Sequence, residues 1–214
     1  MNYTKLIREY CKNNNGAIFD VSKLKDTEFA EVPYKTLLKI LNRLEEEGLL
    51  STVSKGGYFI GEKPVDEELI FDEYVDDGKG MFVGYQLFND VGISDYVDCK
   101  IEIYTNNIKS KQKSVGQYLL KRVDLEFDDD IVDLIALLEI LDTGYSMKGC
   151  DFMAYKKTVD MLLKSYSDRG FEKIVKAIHY KYSTIKQLSE LLEANSIDNN
   201  CVDIFESTYK NLIR

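Results

Sequence analysis

Tyr34, Lys35, Thr36, Lys39, Asn42 and Arg43 fall within ten residues and carry side chains suited to nucleic acid. Lysine and arginine meet phosphates or guanine, asparagine reads adenine, and threonine and tyrosine hydroxyls reach phosphate oxygens. They interleave with Leu37, Leu38, Leu41 and Leu44, an apolar stripe at helical spacing, so the polar set faces outward from one helix. Lys55 follows in Lys55-Gly56-Gly57, where two glycines let backbone N–H groups approach a partner closely. Glu45-Glu46-Glu47 partly cancels the positive field, at the far end of the same helix.

Other reactive constellations are weaker. Asp128-Asp129-Asp130 contains an Asp-x-Asp that could hold magnesium in nucleotidyl transfer, but neither a Gly-Ser turn nor a third carboxylate strand accompanies it. The acids read instead as stabilisers of a helix N-terminus. Gly78-Lys79-Gly80 is too short for a Walker-type phosphate loop and reads as a turn. His179, in IVKAIHYKY, is placed near the end of a helix, where a cation suits the dipole. Cys11, Cys99, Cys150 and Cys201 lie far apart without a CxxC pair and read as buried reduced thiols. The sequence thus predicts a protein that is not an enzyme, with no catalytic residue, metal or cofactor.

The elements that must position the polar set are legible around it. Tyr3, Leu6, Ile7 and Tyr10 mark a first helix that runs out in Asn13-Asn14-Asn15-Gly16. Asp20 or Ser22 caps a brief second helix reaching about Glu28. Pro33 opens the third, which stops at Gly48. LLSTVS and YFIG then flank the glycine turn as a hairpin. Three helices and a hairpin are the order of a winged helix-turn-helix, whose third helix enters the major groove. This unit is assigned to residues 1–63.

Pro64 and DEELIFDEYVDD open a small αβ domain, residues 64–150. A helix over GYQLFNDVGI, strands at KIEIYT and QYLLKRVDLEF, and a buried helix at IVDLIALLEIL follow; NNIKSKQKS between the strands reads as a polar, basic loop or hairpin tip. Residues 151–214 read as a helical C-terminal section with four apolar stripes: Phe152 to Tyr166, Phe171 to Ile178, Ile185 to Leu192 behind a Ser183-Thr184 cap, and Val202 to Leu212. The fold class is therefore α+β. Residues 1–63 carry 10 Lys/Arg against 9 Asp/Glu, 64–150 carry 8 against 19, and 151–214 carry 10 against 9. The net charge of −9 sits in the middle third, and phosphate contacts are predicted to come from the ends.

PYKTLLKILNRLEEEGLLSTVSKGGYFI resembles the winged helix that opens AbiEi-type antitoxins of type IV toxin–antitoxin systems and related bacterial regulators. The likeness rests on Leu41-Asn42-Arg43-Leu44, Gly48 and Gly56-Gly57-Tyr58. GYQLFNDVGISDYVDCKIEIYT is similar to the family's small-residue helix, its LGL step (here Val91-Gly92-Ile93) and its next strand. The resemblance covers about residues 1–140. It implies an autorepressor of a toxin–antitoxin operon that counters a nucleotidyltransferase-like toxin and has no catalytic site.

These readings converge on a DNA-binding transcriptional regulator. A homodimer on an inverted-repeat operator in double-stranded DNA is expected, as for dimeric helix-turn-helix proteins. The alternative is an antitoxin acting by protein interaction, its acidic middle domain binding a basic partner directly. MNYTKLIREY lacks the apolar stretch of a signal peptide and no run of 18 apolar residues occurs, so a cytoplasmic protein without membrane contact is expected.

Overall fold

The apolar spacing of Tyr3, Leu6, Ile7 and Tyr10 is realised in helix α1 (Tyr3–Asn13), which ends in a turn where Gly16 takes φ +89°. The computed structural model describes residues 3–61, 67–98 and 100–212; Pro64 and Cys99 lie outside the described residues. A short strand β1 (Ile18–Asp20) follows and leads into α2 (Val21–Asp26). Asp20 caps α2, accepting from the Ser22 backbone N–H at 2.8 Å. Pro33, at φ −56°, immediately precedes α3 (Tyr34–Glu46), and Gly48 turns the chain into β2 (Leu50–Ser54) and β3 (Gly57–Ile60).

β1 is absent from the sequence reading. It pairs with β3, so the expected hairpin is one side of a three-stranded antiparallel sheet ordered β1-β3-β2. The centre strand has cores on both faces, because successive side chains point to opposite sides. Tyr58 and Ile60, with Phe19, join Ile7, Leu37, Leu41 and Leu44 in the core of the N-terminal unit. Phe59, with Ile18, joins Ile70, Tyr74, Ile103, Val115 and Leu120 in a second core. The N-terminal unit is thus packed onto the middle section through its sheet.

The middle section comprises α4 (Glu67–Tyr74), β4 (Gly80–Val83), α5 (Tyr85–Asp90), β5 (Ile101–Thr105), β6 (Gln112–Val115), β7 (Tyr118–Arg122) and α6 (Asp129–Thr143). Its sheet has order β4-β5-β7-β6, with β5 and β7 parallel and the outer pairs antiparallel. Two of these strands differ from the sequence reading. Gly78 does sit in a turn, at φ +70°, but Gly80 starts β4. A Cβ on Gly80 would meet the Tyr74 and Tyr104 carbonyls, so only glycine lets β4 lie this close. The basic stretch NNIKSKQKS closes as β6, joined to β7 across Gly116-Gln117. β7 ends at Arg122, short of the predicted strand, and Asp128 caps α6 by accepting from the Ile131 N–H at 2.9 Å.

Helices α7 (Phe152–Leu162), α8 (Asp168–Ala177), α9 (Tyr182–Ala194) and α10 (Cys201–Leu212) complete the α+β chain. They share one core with α6, whose Leu134, Leu137, Leu138 and Leu141 meet Val159, Phe171, Ile174 and Leu188. Phe152, expected in an apolar stripe, is 61% exposed. Ser183 and Thr184 lie inside α9 rather than capping it; the Thr184 hydroxyl donates to Asp142 on α6 at 2.6 Å. His179 lies beyond α8, its ring edge-on to Tyr209 at 4.8 Å. Cys11 and Cys201 are buried, and burial pushes both thiols up. On α6, Glu139 accepts from the hydroxyls of Tyr104 (3.1 Å) and Tyr180 (2.9 Å), tying the sheet to the helices. Burial pushes the Glu139 carboxyl up, against the pull of those two hydrogen bonds. Among the described residues no helix is long and apolar enough to cross a membrane.

Candidate nucleic-acid interface

Helix α3 buries Leu37, Ile40, Leu41 and Leu44 against the N-terminal core. The opposite face, spaced i, i+4, i+7 and i+11, carries Lys35, Lys39, Asn42 and Glu46, all exposed. Tyr34, 51% exposed, stands at the start of the helix, and Lys55 is exposed at the β2–β3 turn, beside Gly56 at φ +74°. Among the described residues Lys35, Lys39 and Lys55 have no ion pair.

The remaining predicted contacts are placed differently. Thr36 is half-buried. Arg43 lies on the flank toward α1, where it donates to the Thr4 hydroxyl at 3.0 Å and pairs with Glu47 at 3.7 Å. Asn42 accepts from the Tyr58 hydroxyl at 3.5 Å, a marginal contact that leaves its amide N–H groups available. The structure therefore brings Lys35, Lys39 and Asn42 together, sets Tyr34 and Lys55 beside them, and ties Arg43 elsewhere.

The glutamate run that weakens this field in the sequence is largely consumed in the fold. Glu45 accepts from the Thr52 N–H at 3.0 Å, and Glu47 is clasped by Arg8 as well as Arg43. Glu46 alone of the three remains on the outward face without an ion pair among the described residues.

Sequence reasoning missed a second set of lysines at this site. Lys113 on β6 reaches Asp20 at the head of α2, 2.7 Å away, with side chains 7% and 13% exposed. Its ammonium sits so near Gly57 that a Cβ there would lie 2.9 Å from it. Burial pushes the Asp20 carboxyl up, but hydrogen bonds from Lys113 and Ser22 outweigh it and hold the group below the ordinary aspartate range. Lys109 pairs with Asp26 and donates to the Ser22 carbonyl at 2.8 Å. Lys23 donates to Asn107 at 2.6 Å and pairs with Glu73 at 3.4 Å; burial pulls its ammonium down. These struts place β6 beside the N-terminal unit. A cleft of about 640 Å³ separates Tyr34, Leu38 and Lys55 on one side from Ser110, Gln112 and Ser114 on the other. The available signal was the lysine alternation Lys109, Lys111, Lys113 ahead of a glycine turn, which has strand period.

No protein-family model matches the chain, and no curated protein matches it. A solved structure with some likeness is the RV2827C protein from Mycobacterium tuberculosis, at 13% identity and a TM-score of 0.42. The likeness spans 97% of this chain and 80% of that one.

Proposed function

We propose that the chain is a DNA-binding transcriptional regulator whose residues 3–61 act as a winged helix-turn-helix, with α3 entering the major groove and the β2–β3 turn as the wing. One observation carries this reading: Lys35, Lys39 and Lys55 stand exposed and unpaired among the described residues, while the acids Glu45 and Glu47 are occupied. Cations left in water on a helix face and a tight turn are available to phosphates; cations already paired are not. Following the family resemblance, the regulator is the antitoxin and autorepressor of a toxin–antitoxin operon, cytoplasmic, with a nucleotidyltransferase-like toxin as its counterpart.

A nearly neutral N-terminal unit binds tightly only through local contacts repeated in two copies, so a homodimer on an inverted repeat with half-sites about 34 Å apart is expected. With about three phosphates neutralised per protomer, the log–log salt slope is about −5. The test is a mobility shift on the DNA upstream of the gene, at about 150 mM salt. Wild type shifts it, and Lys35→Glu/Lys39→Glu, still folded, does not. A folded double variant that shifts the duplex like wild type overturns the reading.

A second reading has its own support. Glu67, Glu68 and Asp72 of α4, with Asp76 and Asp77, are exposed together and suit a basic protein partner. Capture of the neighbouring gene product by wild type, abolished in Glu67→Lys/Glu68→Lys, would favour it.

A further inference from the structure

Resting on the DNA-binding reading, we propose that the tip of the middle section, Ser110–Ser114, is a third contact line for duplex DNA beside α3 and the β2–β3 turn. The net charge of its own section, −11 from 8 basic and 19 acidic residues, argues against such a role, and only the fold reverses that. Ser110, Gln112 and Ser114 alternate along an extended chain, all exposed, and line the cleft opposite Lys55 and Tyr34. Hydroxyls and amides of this kind donate to phosphate oxygens. Lys111 between them is exposed and has no ion pair among the described residues.

Two further features make the cleft hospitable to a polyanion. The carboxylate at its floor, Asp20, is engaged on both oxygens, one by Lys113 and one by Ser22, so it presents no unpaired negative charge. The lip is also fixed: Lys113–Asp20, Lys109–Asp26 and Lys23–Asn107 pin β6 and its preceding loop to β1 and α2 of the N-terminal unit. A backbone strand of DNA passing the start of α3 and the β2–β3 turn runs along this cleft, where Gln112 and Ser114 offer donors from a lip whose backbone is already held, Ser110 being engaged with the Gln112 carbonyl at 3.0 Å. Lys109 and Lys113 are positioning residues here, with their charge already consumed.

The experiment uses the full chain, a labelled duplex of mixed sequence and a salt series. Lys111→Glu/Gln112→Glu should lower affinity at least tenfold and flatten the salt slope, and Gln112→Lys should tighten binding and steepen the slope by about 0.9. Ser183→Lys, an exposed α9 position, controls for net charge and should steepen it less. The inference is overturned if Lys111→Glu/Gln112→Glu binds like wild type, or if Gln112→Lys and Ser183→Lys act alike, while Lys35→Glu/Lys39→Glu loses binding. Wild type that binds no duplex, or a double α3 variant that binds normally, overturns the underlying reading instead.

Discussion

Lys35 and Lys39 on α3 and Lys109 and Lys113 ahead of β7 carry the same charge, and the fold gives them opposite surroundings. The α3 pair projects into water with no ion pair among the described residues. Lys113 is almost wholly enclosed with Asp20, and Lys109 sits half-open with Asp26. Desolvation separates their roles: an enclosed lysine and its acid hold structure, whereas a hydrated lysine contributes little to folding and remains available to a polyanion. Counting charges by segment cannot see this, because charges cancel by proximity and not by position in the chain.

The comparison breaks most visibly at Lys113. Lys113→Met keeps the stem and strands the Asp20 carboxylate, and should cost on the order of 3 kcal/mol in chemical denaturation. A loss below about 1 kcal/mol would mean that the pair is no better than an exposed one.

A pH series sharpens the same point. The Asp20 carboxyl is held below its ordinary value, so its pair with Lys113 contributes fully above the unfolded aspartate value and fades as pH falls through the lowered one. The stability gap between wild type and Lys113→Met should therefore be widest near neutrality and shrink below about pH 4. A gap that stays constant down to acid unfolding would remove Asp20 as the partner that matters.

Glu139 gives the opposite sign. Its carboxyl is raised by burial, so stability is fully present below the unfolded glutamate value and declines as pH rises through the folded one. Glu139→Gln keeps an oxygen for Tyr104 and Tyr180 and sheds the buried charge. It should raise stability at neutral pH and flatten that decline; thermal midpoints measured across the range decide it.

The smallest effects belong to the open lysines. Lys109→Ala, and Lys35→Ala with Lys39→Ala, should each move stability by no more than about 0.5 kcal/mol. The α3 pair should nevertheless reduce the salt slope on duplex DNA by about 0.9 for each phosphate no longer neutralised, whereas Lys176→Ala, which removes a lysine paired with Glu172 on α8, should leave it unchanged. If Lys176→Ala flattens the slope as much as an α3 substitution, the division between paired and available lysines fails.

Local pattern carried much of this protein in plain view of its sequence. The 3.6-residue apolar spacing around Leu37, Leu41 and Leu44 placed α3 and its outward lysines, and Asp20, Pro33 and Gly48 marked boundaries through the backbone geometry that each favours. Hydrophobic runs such as IVDLIALLEIL likewise announced a buried helix. Such signals act within a turn or two of helix, so they survive in one dimension. The two-faced sheet, strands β1, β4 and β6, the withdrawal of Arg43 toward Thr4, and the pairing of Lys113 with an acid 93 residues away do not. These depend on which surfaces the chain brings together, and short polar strands such as QKSV owe their form to the neighbours they pair with rather than to their own composition. Sequence by itself determined which side chains could meet a phosphate; tertiary packing, through burial and proximity, decided which of them remain able to.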